Sequence, residues 1–342
     1  DNFNGNSFAI KALEQGASYA VVDENVGTDK RLILVDDVLT YMQELAHFHR
    51  KCFDIPVVGI CGSNGKTTTK NLIYRVLAKK YKTHCTQGNF NNHIGVPITL
   101  LEMPQDAEVA IIELGTNSPG EITELCSITN PNYGLITNIG KEHLEGFGTL
   151  EAVAKEESEI YHYLLKNKGT AFVNADDDWL SRMSRGLENK ILFTKADCKI
   201  GTLVPTIQFS YKNVSFTSSL MGDYNLDNIL TAIAIGEHLR VDLQYIRDGI
   251  AEYQPDIIGF QEVFSSEPLK DLVAAQGYGY FEVVDQPEVI DDFIYKRPVV
   301  AIASRYPIVD IKAVEPDIGL AQTLGLTDDF SFSRKVLRAT VD

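Results

Sequence analysis

The sequence has 342 residues, a formal net charge of −16, 44% hydrophobic residues and 23% charged residues. This is typical of a soluble globular protein with two or three domains. The charge argues against a general binder of nucleic acid or of anionic membranes, which would be repelled over most of the surface. No apolar run approaches the roughly 20 residues of a membrane span, so neither nucleic-acid binding nor membrane insertion is expected. The five cysteines form no CxxC pair and no zinc-type cluster, which favours reduced thiols in the cytoplasm.

The first segment, residues 1–50, has the pattern of a small α/β piece. It begins at Asp1 in mid-pattern and shows no signal peptide, so we expect a further segment upstream. The predicted elements are a helix at 8–15, strands at 18–22 and 31–35, and a helix at 38–49.

The second segment, residues 51–255, alternates short apolar strands with helices. Strands are predicted at 56–61, 108–114, 133–137 and 170–174, helices at 66–79 and 150–165, a β-rich stretch at 199–221, and helices at 225–239 and 243–253. Such alternation indicates βαβ units, so the predicted fold class is α/β with a mostly parallel central sheet. Ligands of these sheets bind at the carboxyl ends of the strands, where Gly62, Glu113 and Asn138 fall.

The third segment, residues 256–342, changes in character after Pro255. A buried-type strand is predicted at 256–263, followed by a helix at 269–276 and strands at 280–284, 299–303 and 334–341. This pattern predicts a partial α+β segment, whose strands lack partners and leave sheet edges exposed unless other parts of the chain cover them.

A phosphate-binding loop is the strongest motif. It follows the first strand of the second segment and leads into a helix; its residues are Gly62, Ser63, Asn64, Gly65, Lys66, Thr67 and Thr68. The glycines let backbone N–H groups point inward, Lys66 meets the β- and γ-phosphates, and a threonine hydroxyl joins Mg²⁺. The full Walker spacing is not met because Ile60 occupies its first glycine position, but the short form GxxGKT is met. ATP is therefore the predicted cofactor, with Mg²⁺.

Two further side chains are candidates for the metal. Glu113 ends the next strand in the sequence Glu-Leu-Gly-Thr-Asn, and a carboxylate there is a plausible Mg²⁺ ligand, although strand-end carboxylates are often only solvated. His143 follows another strand at the same predicted edge, and a surface role is an equal alternative.

Several ordered segments together resemble the Mur ligase family. They are GICGSNGKTTTK, GNFNNHIGVPITLLE, IIELGTNSPGEI, ITNIGKEHLEGFGTLE, NADDDWL and GDYNLDNILTAIAIGEHL. The resemblance covers about residues 1–255, with 1–50 similar to the latter part of the family's UDP-substrate domain and 51–255 similar to its central ATP-binding domain. GNFNNHIGVP and ELGTNSPGEI favour the members that add D-Ala-D-Ala to a UDP-linked muramoyl tripeptide. The implied reaction makes an acyl-phosphate from a carboxylate and ATP, which an amine then attacks to form an amide.

The resemblance also implies roles for individual residues. Lys66 and Thr67 would meet the phosphates and magnesium, Glu113 one magnesium ion, and His143 a second. Asn138 would lie near the phosphates. The adenine would lie near Asn225 and Asn228, and the nucleotide-sugar substrate would face Asn91 and Asn92.

One departure from the family concerns its carbamylated lysine, whose position holds Glu157 in this chain. A carbamylated lysine is a carboxylate on a long stem, so Glu157 could serve the metal and catalysis directly. The alternatives are a weakened second metal site and a solvated acidic helix face. The sequence leaves all three open.

The third segment resembles a different group, the endonuclease/exonuclease/phosphatase superfamily. PDIIGFQEVF, YKRPVVAIASRYPIVD and FSRKVLRATVD carry the resemblance, which implies that Glu262 is a magnesium ligand. The histidine and aspartate motifs that would complete such a site are missing, so phosphoesterase activity is not expected. The ligase's C-terminal domain is not recognisable either, and reduced ligation, or ATP binding without catalysis, is the expectation.

Overall fold

The computed structural model describes residues 4–140, 147–263, 265–285, 288–291, 294–297, 299–314 and 336–341. The chain divides into two compact units. The first comprises Asp1–Ile200, Phe209–Phe216 and Asp223–Glu252, and the second Gly201–Gln208, Thr217–Gly222 and Tyr253–Asp342. The domain limits predicted at residues 50 and 255 stay predictions. Within the described residues, no helix is both long enough and apolar enough to cross a membrane.

The N-terminal part of the first unit contains the elements predicted for it. They are α1 (Ala9–Glu14), β1 (Ala20–Val22), β2 (Leu32–Leu34) and α2 (Val38–Lys51). The two strands pair in parallel, with Val21 opposite Ile33. Asp37 caps α2 because its carboxylate accepts a hydrogen bond of 2.7 Å from the backbone N–H of Thr40.

A six-stranded sheet forms the centre of the first unit. Its strands, in chain order, are β3 (Val57–Cys61), β4 (Thr83–Cys85), β5 (Val109–Glu113), β6 (Tyr133–Ile136), β7 (Thr170–Asn174) and β8 (Lys190–Phe193). The spatial order is β4-β5-β3-β6-β7-β8, and every neighbouring pair is parallel. All residues of β3 and β5 are buried, which explains their continuous apolar sequences. The predicted α/β class with a mostly parallel sheet is confirmed.

The helices that follow β3 in the first unit pack on this sheet or on one another. They are α3 (Lys66–Leu77), α4 (Gly95–Leu101), α5 (Glu121–Thr129), α6 (Leu150–Glu157), α7 (Glu159–Asn167), α8 (Asp178–Met183), α9 (Asp223–His238) and α10 (Leu243–Ala251). The helical stretch predicted at 150–165 is confirmed, and it is interrupted at Ser158, which lies between α6 and α7. The Ser158 hydroxyl donates a 2.6 Å hydrogen bond to the Lys155 carbonyl oxygen, and such local bonds compete with the regular helical pattern.

Close helix packing sets the position of α9 and α10 beside α3. A Cβ atom at Gly249 of α10 would lie 2.7 Å from the carbonyl oxygen of Arg75 in α3, and one at Gly236 of α9 would lie 2.7 Å from a Val76 methyl. Glycine at both positions therefore lets the helix backbones approach, and α9 is brought against the helix that follows the phosphate loop.

The remaining strands form smaller sheets. β9 (Cys198–Thr202), β10 (Ile207–Tyr211) and β11 (Val214–Ser218) have the order β11-β10-β9. In the second unit, β12 (Ile257–Val263), β13 (Tyr280–Val283) and β16 (Val299–Ser304) form an antiparallel sheet, order β12-β16-β13, which packs with α11 (Ser266–Ala274). β14 (Glu288–Asp291) pairs with β15 (Ile294–Arg297), and β17 (Ile308–Val314) with β18 (Val336–Val341).

Candidate nucleotide-binding site

The predicted phosphate loop lies at the carboxyl edge of the six-stranded sheet. β3 ends at Cys61, and the chain turns through residues 62–65 into α3. Because β3 lies between β5 and β6, the strand ends bring the loop, Glu113 and residues 137–140 together. The chain leaves β3 toward β4 on one side and leaves β6 toward β7 on the other, which creates the kind of crevice where open parallel sheets bind ligands.

The conformation of the loop requires its glycines. Gly62 has a φ of +115° and Gly65 a φ of +82°, both in a region that side chains disfavour. Gly65 is the residue immediately before α3, so the first backbone N–H groups of that helix have no acceptor within the helix. These N–H groups and the positive end of the helix together suit a phosphate.

Residues that follow β6 hold the loop in shape. The Asn138 amide accepts a 3.1 Å hydrogen bond from the Asn64 backbone N–H and donates one of 2.8 Å to the Asn64 carbonyl oxygen. The Ser63 backbone N–H donates to the Asn138 carbonyl oxygen at 2.9 Å, and the Gly140 N–H donates to the Ser63 hydroxyl at 2.7 Å. Asn138 therefore braces the loop, and its predicted phosphate contact stays a prediction.

Lys66 begins α3 and bends back over the loop. Its ammonium donates hydrogen bonds to the carbonyl oxygens of Gly62 and Ser63, the second at 3.0 Å. This places a positive charge directly above the loop that would surround the phosphates. Thr68, also predicted for nucleotide binding, lies half-buried in the first turn of the same helix.

Thr67 and Glu113 form the candidate metal site. The Thr67 hydroxyl lies 3.2 Å from both carboxylate oxygens of Glu113, which is only 2% exposed. Hydroxyl and carboxylate oxygens are the hard donors that Mg²⁺ prefers, and the ion is commonly held by one or two protein groups together with phosphates. Among the described residues, no group of three or more His, Cys, Asp or Glu side chains could hold a metal alone. The residues present therefore fit a magnesium ion that a nucleotide brings with it.

Two other predicted metal ligands cannot be placed. His143 lies outside the described residues, and so does the side chain of Glu262, although the backbone of Glu262 belongs to β12. Their roles stay predictions, as does the resemblance of residues 256–342 to the endonuclease/exonuclease/phosphatase superfamily.

Sequence reasoning missed Lys70, which lies one helical turn beyond Lys66. Lys70 is 2% exposed, and its ammonium lies 3.3 Å from a carboxylate oxygen of Glu113 and 3.4 Å from the Gly88 carbonyl oxygen. The i, i+4 spacing places Lys70 on the same face of α3 as Lys66, but this spacing does not distinguish a buried lysine from an exposed one.

Asn225 and Asn228 lie in α9, beside the beginning of α3. Both are buried, at 7% and 6% exposure. The side-chain oxygen of Asn228 accepts a 3.1 Å hydrogen bond from the Thr69 hydroxyl, and its side-chain amide donates to the side-chain oxygen of Asn225 at 3.0 Å. They therefore belong to the wall of the site, and their contact with adenine stays a prediction.

Asn91 and Asn92 lie in the loop between β4 and α4, residues 86–94. The Asn91 amide donates a 3.0 Å hydrogen bond to Glu113, which ties the loop to the candidate metal site. The side-chain oxygen of Asn92 accepts hydrogen bonds from the N–H groups of Ile94 and Gly95. Asn92 therefore fixes the turn that leads into α4. Substrate contact by either residue stays a prediction.

Glu157 is a buried carboxylate behind the loop. It is 2% exposed, and it accepts a 2.7 Å hydrogen bond from the Gly62 backbone N–H. The proposal of a solvated acidic helix face is therefore wrong. The neighbouring Glu156, which sequence reasoning did not select, accepts hydrogen bonds of 2.8 Å from the N–H groups of Gly120 and Ile122 and so caps α5.

The burial of the five cysteine side chains predicts which thiols an alkylating reagent will modify. Burial, and secondarily the nearby Glu157, raises the pKa of the Cys61 thiol well above its ordinary value, and burial likewise raises the pKa of Cys85 and Cys126. Burial raises the pKa of the partly exposed Cys198 to about 11. Cys52 is exposed. Because only an accessible thiolate reacts, iodoacetamide at pH 8 should alkylate Cys52 at least about tenfold faster than the others. Peptide mass spectrometry of the native protein measures this, with urea-unfolded protein as control; equal native rates at Cys52 and Cys61 would contradict it.

The sequence profile of the Mur ligase middle domain matches residues 60–236. The chain is 34% identical over 251 residues to the UDP-N-acetylmuramoyl-tripeptide--D-alanyl-D-alanine ligase of Bacillus subtilis, which covers 70% of this chain and 54% of that protein. The protein of the same name from Escherichia coli is 35% identical over 265 residues, covering 73% and 58% respectively. The chain thus spans little more than half the length of these curated relatives.

Solved structures show the same similarity. The structure of MurF from Acinetobacter baumannii has a TM-score of 0.68 at 27% identity, with 81% of this chain and 66% of that chain covered. The MurF ligase from Thermotoga maritima, solved in complex with ADP, has a TM-score of 0.65 at 28% identity, with 75% and 61% covered. The similarity therefore extends well beyond the phosphate loop.

Proposed function

Because this chain belongs to the Mur ligase family, as its motifs predicted, we propose that it binds Mg-ATP and acts as an ATP-dependent ligase. The proposed reaction joins D-Ala-D-Ala to a UDP-linked muramoyl tripeptide, the reaction that the names of the curated relatives describe. The observation that carries nucleotide binding is the convergence of Lys66, the start of α3 and the Thr67–Glu113 pair at one edge of the sheet.

The proposed chemistry has two steps. A carboxylate oxygen of the muramoyl peptide attacks the γ-phosphorus of ATP, and the bond to ADP breaks to leave an acyl-phosphate. The amine of D-Ala-D-Ala then attacks the acyl carbon, phosphate leaves, and the nitrogen loses a proton to give the amide. Mg²⁺, when bound, would neutralise charge on the phosphates.

The chain's own residues would serve the first step by positioning and charge. The ammonium of Lys66 and the amides at the start of α3 would hold the phosphates and stabilise the negative charge that shifts toward ADP. Thr67 and Glu113 would hold Mg²⁺ beside them. The Asn138 brace keeps the loop in the binding conformation before the nucleotide arrives, so little ordering is needed on binding.

The proposed location is the cytoplasm, where ATP is available and where thiols stay reduced. All five cysteines are free in the structure, which supports this environment.

The test is ADP release from Mg-ATP in the presence of UDP-MurNAc-tripeptide and D-Ala-D-Ala. We expect turnover, at the reduced rate that the sequence predicts, that requires both substrates and that is lost in Lys66→Ala. The matched control is Lys82→Ala, which removes an exposed lysine that pairs with Asp106 and does not belong to the phosphate loop.

Two outcomes would count against the proposal. Turnover that survives in Lys66→Ala would show that another site hydrolyses ATP. Binding of Mg-ADP that depends on Lys66, without turnover under any substrate combination, would leave a nucleotide-binding protein that does not catalyse ligation.

A further inference from the structure

Lys70 and Glu113 form an ion pair inside the protein. Their side chains are 3% and 2% exposed, and the ammonium nitrogen lies 3.3 Å from the second carboxylate oxygen of Glu113. Removing two charges from water is unfavourable, and apolar residues of similar size are often at least as stable in such places. Stability alone therefore does not account for the pair, whose acidic member is the candidate metal ligand.

The same ammonium also contacts the loop between β4 and α4. It donates to the Gly88 carbonyl oxygen at 3.4 Å, so a single side chain joins α3, the end of β5 and this loop. Within the loop, Asn91 makes two further connections at the end of β5, in addition to the bonds that Thr86 makes to β5. The Asn91 amide donates to Glu113 at 3.0 Å, and the Asn91 carbonyl oxygen accepts from the Gly115 N–H at 2.7 Å.

The carboxylate of Glu113 can keep these partners when a metal binds. A carboxylate has about four acceptor positions, of which Lys70 and Asn91 use one each. The Thr67 hydroxyl has one hydrogen and lies 3.2 Å from both oxygens, so it uses only one further position at a time. A position therefore remains for a cation without loss of either connection to the loop.

We infer that Lys70 is a positioning residue that fixes the β4–α4 loop against Glu113, so that the nucleotide's metal and the loop share one carboxylate. The inference rests on the proposed function only in taking Glu113 as the metal ligand and the loop as the part that faces the nucleotide-sugar substrate.

Hydrogen exchange followed by mass spectrometry tests this without any ligation substrate. In Lys70→Met, the backbone amides of Phe90, Asn91 and Gly115, which donate to the carbonyl oxygens of Gln87, Asn89 and Asn91, should exchange at least about tenfold faster than in the wild type, while those of β7 and α10 change little. Lys70→Arg, which keeps a cation of similar reach, should restore most of the protection. Acceleration that is equal in β7 and α10 would indicate general loss of stability and would overturn the inference.

The double variant Lys70→Met/Glu113→Gln shows whether Lys70 positions the loop or only neutralises the charge of Glu113. It also replaces the single variant in the experiment if Lys70→Met does not fold. It leaves no unpaired buried charge, but the Gly88 carbonyl oxygen still lacks its donor. If Lys70 positions the loop, the amides of Phe90, Asn91 and Gly115 still exchange about tenfold faster than in the wild type. Protection equal to the wild type would show that Lys70 only neutralises Glu113, and the inference would fail.

A kinetic arm connects the result to the proposed reaction. In Lys70→Met, the KM for UDP-MurNAc-tripeptide should rise at least about tenfold while the KM for ATP stays within about threefold, and in Lys70→Arg both constants should stay near those of the wild type. Equal increases in both constants would contradict the positioning role. Absence of turnover in the wild type would count against the proposed function alone, because the exchange measurements would still decide the role of Lys70.

Discussion

Glu157→Ala should weaken Mg-ADP binding by about 100-fold, whereas Glu157→Gln should weaken it by less than about tenfold. The alanine variant leaves the buried Gly62 N–H without its 2.7 Å acceptor, at the residue where the phosphate loop begins. Glutamine keeps a side-chain oxygen at that position and loses only the charge. Isothermal titration calorimetry with Mg-ADP measures both affinities, and thermal unfolding shows whether each variant is folded.

The comparison of these two variants also decides between the roles left open for Glu157. A metal ligand would lose its function in glutamine nearly as much as in alanine, and the loss would disappear when ADP is titrated without Mg²⁺. A residue that shapes the loop would show the difference between glutamine and alanine with or without the metal. Equal losses in the two variants would therefore contradict the loop-shaping role.

Gly62→Ala should lower the free energy of unfolding by about 3–5 kcal/mol, because backbone strain adds to overpacking. Gly62 has a φ of +115°, and a Cβ atom there would lie 2.4 Å from the Thr137 hydroxyl oxygen and 2.6 Å from the Thr137 backbone nitrogen. The backbone that follows β6 would have to move, and the loop with it. Urea unfolding followed by circular dichroism measures the change, and loss of Mg-ADP binding should accompany it.

Gly88→Ala is the matched control for this substitution. Gly88 also has a positive φ, +51°, but a Cβ atom there would meet nothing within 4 Å. Only the conformational cost of about 1–2 kcal/mol is then expected. Equal decreases in the free energy of unfolding would show that the close approach of Thr137 to Gly62 adds nothing to the cost of the substitution.

The central strands could be predicted from the sequence because parallel strands are buried on both faces. β5 reads Val-Ala-Ile-Ile-Glu, and every one of its residues is buried. β4 was missed because Thr83–Cys85 is short and polar, and it lies at the edge of the sheet, where burial imposes no apolar pattern.

Two of the helices that were not predicted, α4 and α5, lack a local signal for different physical reasons. α4 contains Gly95 and Pro97 in its first turn, which weaken its helical signal, and its start is fixed by the side chain of Asn92. The N–H groups at the start of α5 donate hydrogen bonds to the carboxylate of Glu156, which lies 34 to 36 residues away in the sequence. A contact over that distance leaves no local pattern.

The candidate site was predictable where its residues form a motif that is rarely found outside nucleotide-binding sites. A glycine-rich turn followed by Lys-Thr and a strand-end glutamate indicated Lys66, Thr67 and Glu113, and the structure brings them together. Lys70 was not predictable, because a lysine within a helix is usually exposed and only the fold shows that this one is buried. Burial likewise excludes a solvated position for Glu157, which the sequence had left open.

The strand order has a consequence for how the protein is made on the ribosome. β3 is synthesised first among the six strands, but its neighbours in the sheet are β5 and β6, so it must wait for chain that emerges later. The hydrogen bond between Thr69 and Asn228 spans 159 residues, and the wall of the phosphate site is complete only after α9 has been translated. At about 5–20 residues per second, the apolar strand β3 stays unpaired for several seconds before β5 has been translated. During that time a chaperone that binds short apolar segments would have its best access to the chain.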